Sequence, residues 1–234
     1  TEFDMTQGLG AGPWGNPRRF QSAYRADGKT YTPQRTIAVQ RSEYVTVVQT
    51  RANLPNEIGG VVWMTPLPAD AGWFVPLYIG VTELNPSITI EKCGDRFEFR
   101  RDSYRWAIGS LSTYMNLKWQ PMYADMSKIR DKYEGELVRN QAAFEKAVVE
   151  LYNKDKAAAV KYLTDFCYKT VDTFREAVWQ TLDYLVWKYD MGFVTENGRV
   201  VSKGYPATWI EQLFKYNFGT SDIRGWSQYV APTK

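Results

Sequence analysis

Two long apolar stripes follow one another in the second half of the chain, and they restrict its fold more than any other feature. Met122, Met126, Ile129, Tyr133, Leu137, Phe144, Val148 and Leu151 recur at spacings of mostly three and four, the period of one helix face. Leu163, Cys167, Val171, Phe174, Val178, Leu182 and Leu185 form a second such stripe. Pro121 suits the first turn of the first helix, and Gly192 a stop beyond the second. Only Asn153-Lys154-Asp155 parts the two stripes, so the helices are expected to fold back as an antiparallel pair. Another helix is expected to run from a cap at Asp102 or Ser103 to about residue 118, and a short one over 207–216.

The chain changes character near residue 101. Residues 1–35 are punctuated by Gly8, Gly10, Gly12, Gly15, Pro13 and Pro17 and read as an irregular lead-in. Residues 36–50 are dense in Val, Ile, Thr and Tyr and predict two short strands or one bent strand. Residues 58–64 (IGGVVWM) read as a buried strand. Residues 73–80 read as a strand that Pro76 pushes to an edge or a bulge. Residues 87–92 and 96–100 suggest a hairpin around Cys93-Gly94-Asp95. The expected fold class is α+β, with a loop- and strand-rich part at 1–101 and a mainly helical part of the same domain at 102–234.

Histidine is absent from all 234 residues. No Ser-His-Asp or Cys-His pair can be assembled from this chain, and no His-ligated zinc or iron site. No cofactor or metal is therefore expected. Cys93 and Cys167 are the only cysteines; two unpaired thiols, a disulfide between them and a reactive thiol are the alternatives the sequence leaves open. The charge of +3, from 29 basic and 26 acidic residues, is too even to point to nucleic acid or an anionic membrane as partner. No apolar run approaches the ~20 residues that span a bilayer. The compartment stays open. The chain starts Thr1-Glu2-Phe3-Asp4 without Met or a leader pattern, from which an upstream segment is expected.

Several residue sets bear on chemistry. Gly8-x-Gly10-x-Gly12-x-x-Gly15 has the spacing of a dinucleotide loop but lacks the flanking strand and helix, so these glycines are expected to serve tight turns or close approach. Asn16-Pro17-Arg18-Arg19-Phe20 places two guanidiniums beside an amide, a set that can bind a carboxylate or hold an oxyanion. Thr1 could attack with its own α-amine as base, which would give catalysis without histidine. Trp63, Trp73, Phe74, Tyr78, Trp106, Tyr114 and Trp119 are expected mainly in the core, with an apolar pocket as the alternative.

The order Phe3-Asp4, then Gly12-Pro13-Trp14-Gly15-Asn16-Pro17-Arg18-Arg19-Phe20, resembles the dipeptidase A family of cysteine peptidases, in the N-terminal nucleophile hydrolase superfamily. Matching segments follow in the same order: 47–51 (VVQTR), Leu54-Pro55, 61–68 (VVWMTPLP), 75–82 (VPLYIGVT) and 102–106 (DSYRW). The resemblance covers roughly residues 1–190 and corresponds to the C-terminal half of such an enzyme. It implies part of a four-layer α-β-β-α sandwich and a dipeptide substrate. Its nucleophile is an N-terminal Cys, which Cys93 and Cys167 do not match; the missing N-terminal half of the enzyme is thus an expected partner. The chain alone is expected to be inactive and, with apolar sheet surface exposed, to self-associate as a homo-oligomer. By comparison with the superfamily, Arg19 is the site arginine, with Asn16 and Arg18 as further substrate-binding candidates. A non-catalytic binding module and a hydrolase of non-peptide amides are the alternatives.

Overall fold

In the computed structural model the described residues are 4–19, 23–32, 38–39, 42–89 and 98–215. Thr1, Phe20, Cys93 and most of the hairpin expected at 87–100 lie outside them. The fold is mixed α and β, with small antiparallel sheets and long helices, and the chain divides into two compact units.

The first unit comprises Thr1–Thr36, Lys118–Gln120 and Tyr189–Lys234. Its N-terminal part holds a single helical turn, α1 (Gly8–Ala11), and a hairpin of β1 (Tyr24–Ala26) and β2 (Lys29–Tyr31). The expected irregular lead-in therefore contains regular structure. Asp27 and Gly28 both take positive φ, 50° and 71°, the two-residue turn whose twist matches paired strands.

The second unit comprises Ile37–Leu117 and Pro121–Lys188. Its sheet has three antiparallel strands in the order β3 (Tyr44–Thr50), β4 (Gly60–Pro66) and β5 (Val75–Tyr78). Among the described residues of the stretch expected to hold one or two strands, one forms. The strand expected at 58–64 begins at Gly60, because residues 56–59 close a helical turn, α2 (Asn56–Gly59). Pro76 sits in β5, at a sheet edge among the described residues. Ser87 belongs to a 3-10 turn, Pro86–Ile88, and not to a strand: Pro86 opens the turn and the Asn85 side chain accepts the Ser87 N–H at 2.9 Å.

Three helices follow. α3 (Tyr104–Met115) starts at a Ser103 cap whose hydroxyl accepts the Trp106 N–H at 3.2 Å. α4 (Trp119–Lys154) and α5 (Lys156–Lys188) are parted by Asp155 alone. The Asp155 carboxylate accepts the Ala158 N–H at 3.0 Å and so caps α5. The two helices run antiparallel, as the stripes require. Phe144 stacks on Phe166 at 4.1 Å, Tyr133 meets Phe174 at 5.7 Å, and Lys188 bonds Asp125 at 2.6 Å.

Alternation along the strands decides what this hairpin covers. Val61, Trp63 and Tyr78 share one sheet face, and Val61 and Tyr78 join Ile58, Val148, Leu163 and Cys167 in a buried core. On the opposite face Tyr44, Val48 and Ile79 stand exposed and Val62, Met64 and Leu77 half-buried, whereas Pro66 and Val75 are buried. Beyond α5, the first unit resumes with a 3-10 turn ending at Gly192, a hairpin of β6 (Val194–Glu196) and β7 (Arg199–Val201), and α6 (Ala207–Lys215). Asn197 and Gly198 make the β6–β7 turn at φ 49° and 72°.

Candidate functional site

The loop after α1 carries the sequence-derived candidates, and its glycines determine its course. Gly12 and Gly15 lie at φ 70° and 57°, where a side chain is strained. A Cβ on Gly12 would run into the Arg19 guanidinium, and one on Gly15 into the Gln120 side chain. These are the tight turns and close approaches anticipated for the glycines. Asn16 is buried; its backbone N–H donates to the Ala11 carbonyl at 2.8 Å, and its side-chain oxygen accepts the Arg18 N–H at 2.9 Å. Arg18 is only 4% exposed, with its guanidinium 4.4 Å over the Trp119 ring. Arg19 is exposed. One short loop therefore contains a buried amide, a buried cation and a solvent-facing cation. Trp14 in the same loop packs on Tyr205 at 5.9 Å and beneath the Lys118 ammonium at 4.7 Å. Burial, with Lys203 adding like charge, moves the Lys118 pKa below the usual lysine value.

The second unit contains a cavity of about 570 Å³ between α4, α5 and the sheet. Trp63 and Tyr78 line it from the strands, Tyr133 and Phe144 from α4, and Phe166 and Phe174 from α5. Two of the seven aromatics singled out in the sequence thus face this space. Trp73 is instead fully buried and accepts a 2.6 Å bond from the Tyr104 hydroxyl at its carbonyl.

Beside this cavity runs a buried polar network. Glu145 Oε1 accepts from Arg51 at 2.8 Å, from the Tyr78 hydroxyl at 2.8 Å and from Gln141 Nε2 at 2.9 Å. Gln141 also donates to Gln49 Oε1 at 2.9 Å, which accepts the Trp63 indole N–H at 3.3 Å. Arg51 donates onward to the Ile58 carbonyl at 2.9 Å. Desolvation and the adjoining Glu145 carboxylate push the Tyr78 hydroxyl well above the usual tyrosine pKa, so it stays a neutral donor. The sequence analysis did not single out Gln141 or Glu145. Their signal was present: Gln141 occupies the helical position between Leu137 and Phe144 where the apolar stripe is interrupted, and Glu145 stands four residues further on.

Cys167 lies in the middle of α5, 2% exposed and in the core. Burial raises its pKa to about 11, so it is a thiol and not a thiolate near neutrality. Among the described residues no cluster of three or more Cys, Asp or Glu groups could hold a metal ion, and no helix is long and apolar enough to cross a membrane.

The described cysteine is therefore structural. The model of peptidase family C69 matches residues 15–132, half of the chain, and the match begins at Gly15, one residue before Asn16. The chain belongs to this family, the dipeptidase A-like cysteine peptidases. A search of curated proteins gives no match.

Proposed function

We propose that this chain is the C-terminal portion of a dipeptidase whose N-terminal Cys nucleophile lies on polypeptide outside these 234 residues. The observation that carries the proposal is the state of Cys167: a cysteine peptidase needs an accessible thiolate, and this thiol is buried with its pKa at about 11. The thiolate of the N-terminal Cys attacks the dipeptide carbonyl and forms a C–S bond. Its α-amine takes the thiol proton and passes it to the departing amine as the C–N bond breaks. Water then hydrolyses the thioester, releasing the second amino acid and restoring the thiol.

Arg19 is the residue assigned to substrate, because its exposed guanidinium presents a fork of N–H donors to a carboxylate or an oxyanion. The buried Arg18 adds positive charge to the same loop, and Asn16 fixes the loop through its bond to the Arg18 N–H. The exposed apolar sheet face bearing Tyr44, Val48 and Ile79 supports a four-layer α-β-β-α sandwich, in which a second sheet packs over it. Without that sheet the chain is expected to form homo-oligomers through this face.

The test compares the isolated chain with a chain extended upstream through the natural reading frame, on a panel of dipeptides. Turnover only by the extended chain, abolished when its N-terminal Cys is replaced, is the expected outcome. Turnover by the isolated chain that disappears with Cys93→Ser would overturn the proposal.

A further inference from the structure

The cavity of the second unit has no role in the chemistry above, and its lining specifies a ligand. Its volume of about 570 Å³ accommodates a molecule of one or two fused rings, within the roughly 300–1,000 Å³ common for ligand pockets. Ring surfaces line it from three sides. At one place Phe144 and Phe166 stack at 4.1 Å and 29°; at another Tyr133 and Phe174 meet edge to face at 5.7 Å and 78°. Both arrangements extend favourably to an added aromatic ring.

The polar groups select further. The charges next to the cavity are committed to each other, because Glu145 holds Arg51 at 2.8 Å. A charged ligand seated against that pair would lose its hydration without gaining a counter-charge from it. Of the charged lining residues, Asp165 is engaged by Lys161 at 2.9 Å, and Glu136 and Lys169 are exposed and opposite in sign. Gln141 uses its amide nitrogen on Gln49 and Glu145; its carbonyl oxygen takes no part in those bonds and can accept from a ligand. We propose that this cavity is a binding site for a small uncharged aromatic molecule carrying one N–H or O–H donor. The proposal does not depend on the peptidase chemistry, since every residue it uses lies in one unit and none is Asn16, Arg18 or Arg19.

The test titrates the full chain with indole, a neutral aromatic donor, against tryptamine and indole-3-acetate as its cationic and anionic counterparts, by ligand-observed NMR. Saturable indole binding with Kd on the order of 1 mM or below, and at least tenfold weaker binding of both charged probes, is expected. Thr173→Trp fills the cavity from an exposed position and is expected to weaken indole at least tenfold. Tyr162→Ala, also at an exposed lining residue, serves if that variant unfolds, and is expected to weaken indole severalfold. Absent indole binding, equal affinity for a charged probe, or unchanged affinity in the folded variant would overturn the proposal.

Discussion

The two compact units are held by different physics. The unit of residues 37–117 and 121–188 has the long helices, the three-stranded sheet and a core of fully buried side chains such as Ile58, Leu163 and Val171. The unit of residues 1–36, 118–120 and 189–234 has short hairpins. Cations lie on rings in both, Arg18 on Trp119 in the hairpin-rich unit and Arg101 on Trp179 in the helical one, so these contacts do not separate them. Backbone conformation does. Among the described residues every positive φ except that of Leu67 falls in the hairpin-rich unit. One unit is thus specified by burial of periodic side chains, the other by residues that permit left-handed turns. A substitution should therefore act through packing and polar satisfaction in the first case, and through backbone strain in the second.

The largest expected effect is in the helical unit. Glu145→Ala removes the acceptor shared by Arg51, Tyr78 and Gln141 and leaves a largely buried cation, at an expected cost of about 3–5 kcal/mol in urea unfolding. Glu145→Gln, which keeps an acceptor, should cost less. A near-neutral Glu145→Ala would break the contrast between the units. Gly12→Ala strains a left-handed backbone and drives a Cβ into Arg19, and should cost at least ~1–2 kcal/mol. Gly28→Ala has the same strain with open space around it, so its cost should be the ~1–2 kcal/mol of strain alone. Hydrogen exchange should then quicken around residues 24–31 and leave the α4–α5 hairpin unchanged. Asp155→Ala removes the cap of α5 and should cost about 1 kcal/mol, seen as faster exchange at the start of that helix.

The smallest effect is a pH dependence at the surface of the helical unit. Lys156 and the Tyr152 hydroxyl hold the Glu57 carboxyl down at about 2, and Glu57 in turn raises Lys156 to about 12. A lowered carboxyl pKa stabilises the fold above the ordinary value of 4.5, and the contribution disappears as pH falls from there towards 2. The raised lysine acts in the opposite sense: its contribution is complete below 10.5 and is lost as pH rises towards 12. Lys156→Met should flatten both limbs of a stability profile against pH. Because the pair is exposed, high salt should shrink them in the parent protein.

The helices were legible in the sequence because their signals are local. The stripes, the Asp102–Ser103 cap candidates and the Asn153-Lys154-Asp155 join each lie within a turn or two of the structure they specify, though only the structure selects Ser103 as the cap and narrows the join to Asp155. Two local signals went unread: Asp27-Gly28 and Asn197-Gly198, the turn pairs of hairpins built from three-residue strands too short to show alternation. The candidate loop was located by its residues, but the separation of a buried Arg18 from an exposed Arg19 was not visible. It depends on Trp119, far along the chain, arriving beneath one guanidinium.

Composition and short-range pattern were enough for the α+β class, the antiparallel helix pair, the absence of any histidine chemistry and, through the ordered segments from Gly12 to Trp106, the family. Each follows from composition or from patterns that repeat over a few residues. The tertiary structure alone decided that Glu145 would meet Arg51 and Tyr78, that an aromatic cavity would open beside them, and that Cys167 would be sealed in the core. These depend on how a strand face and a helix face slide into register across ninety residues of chain, and local periodicity specifies which face is apolar without specifying which residues on the two faces touch.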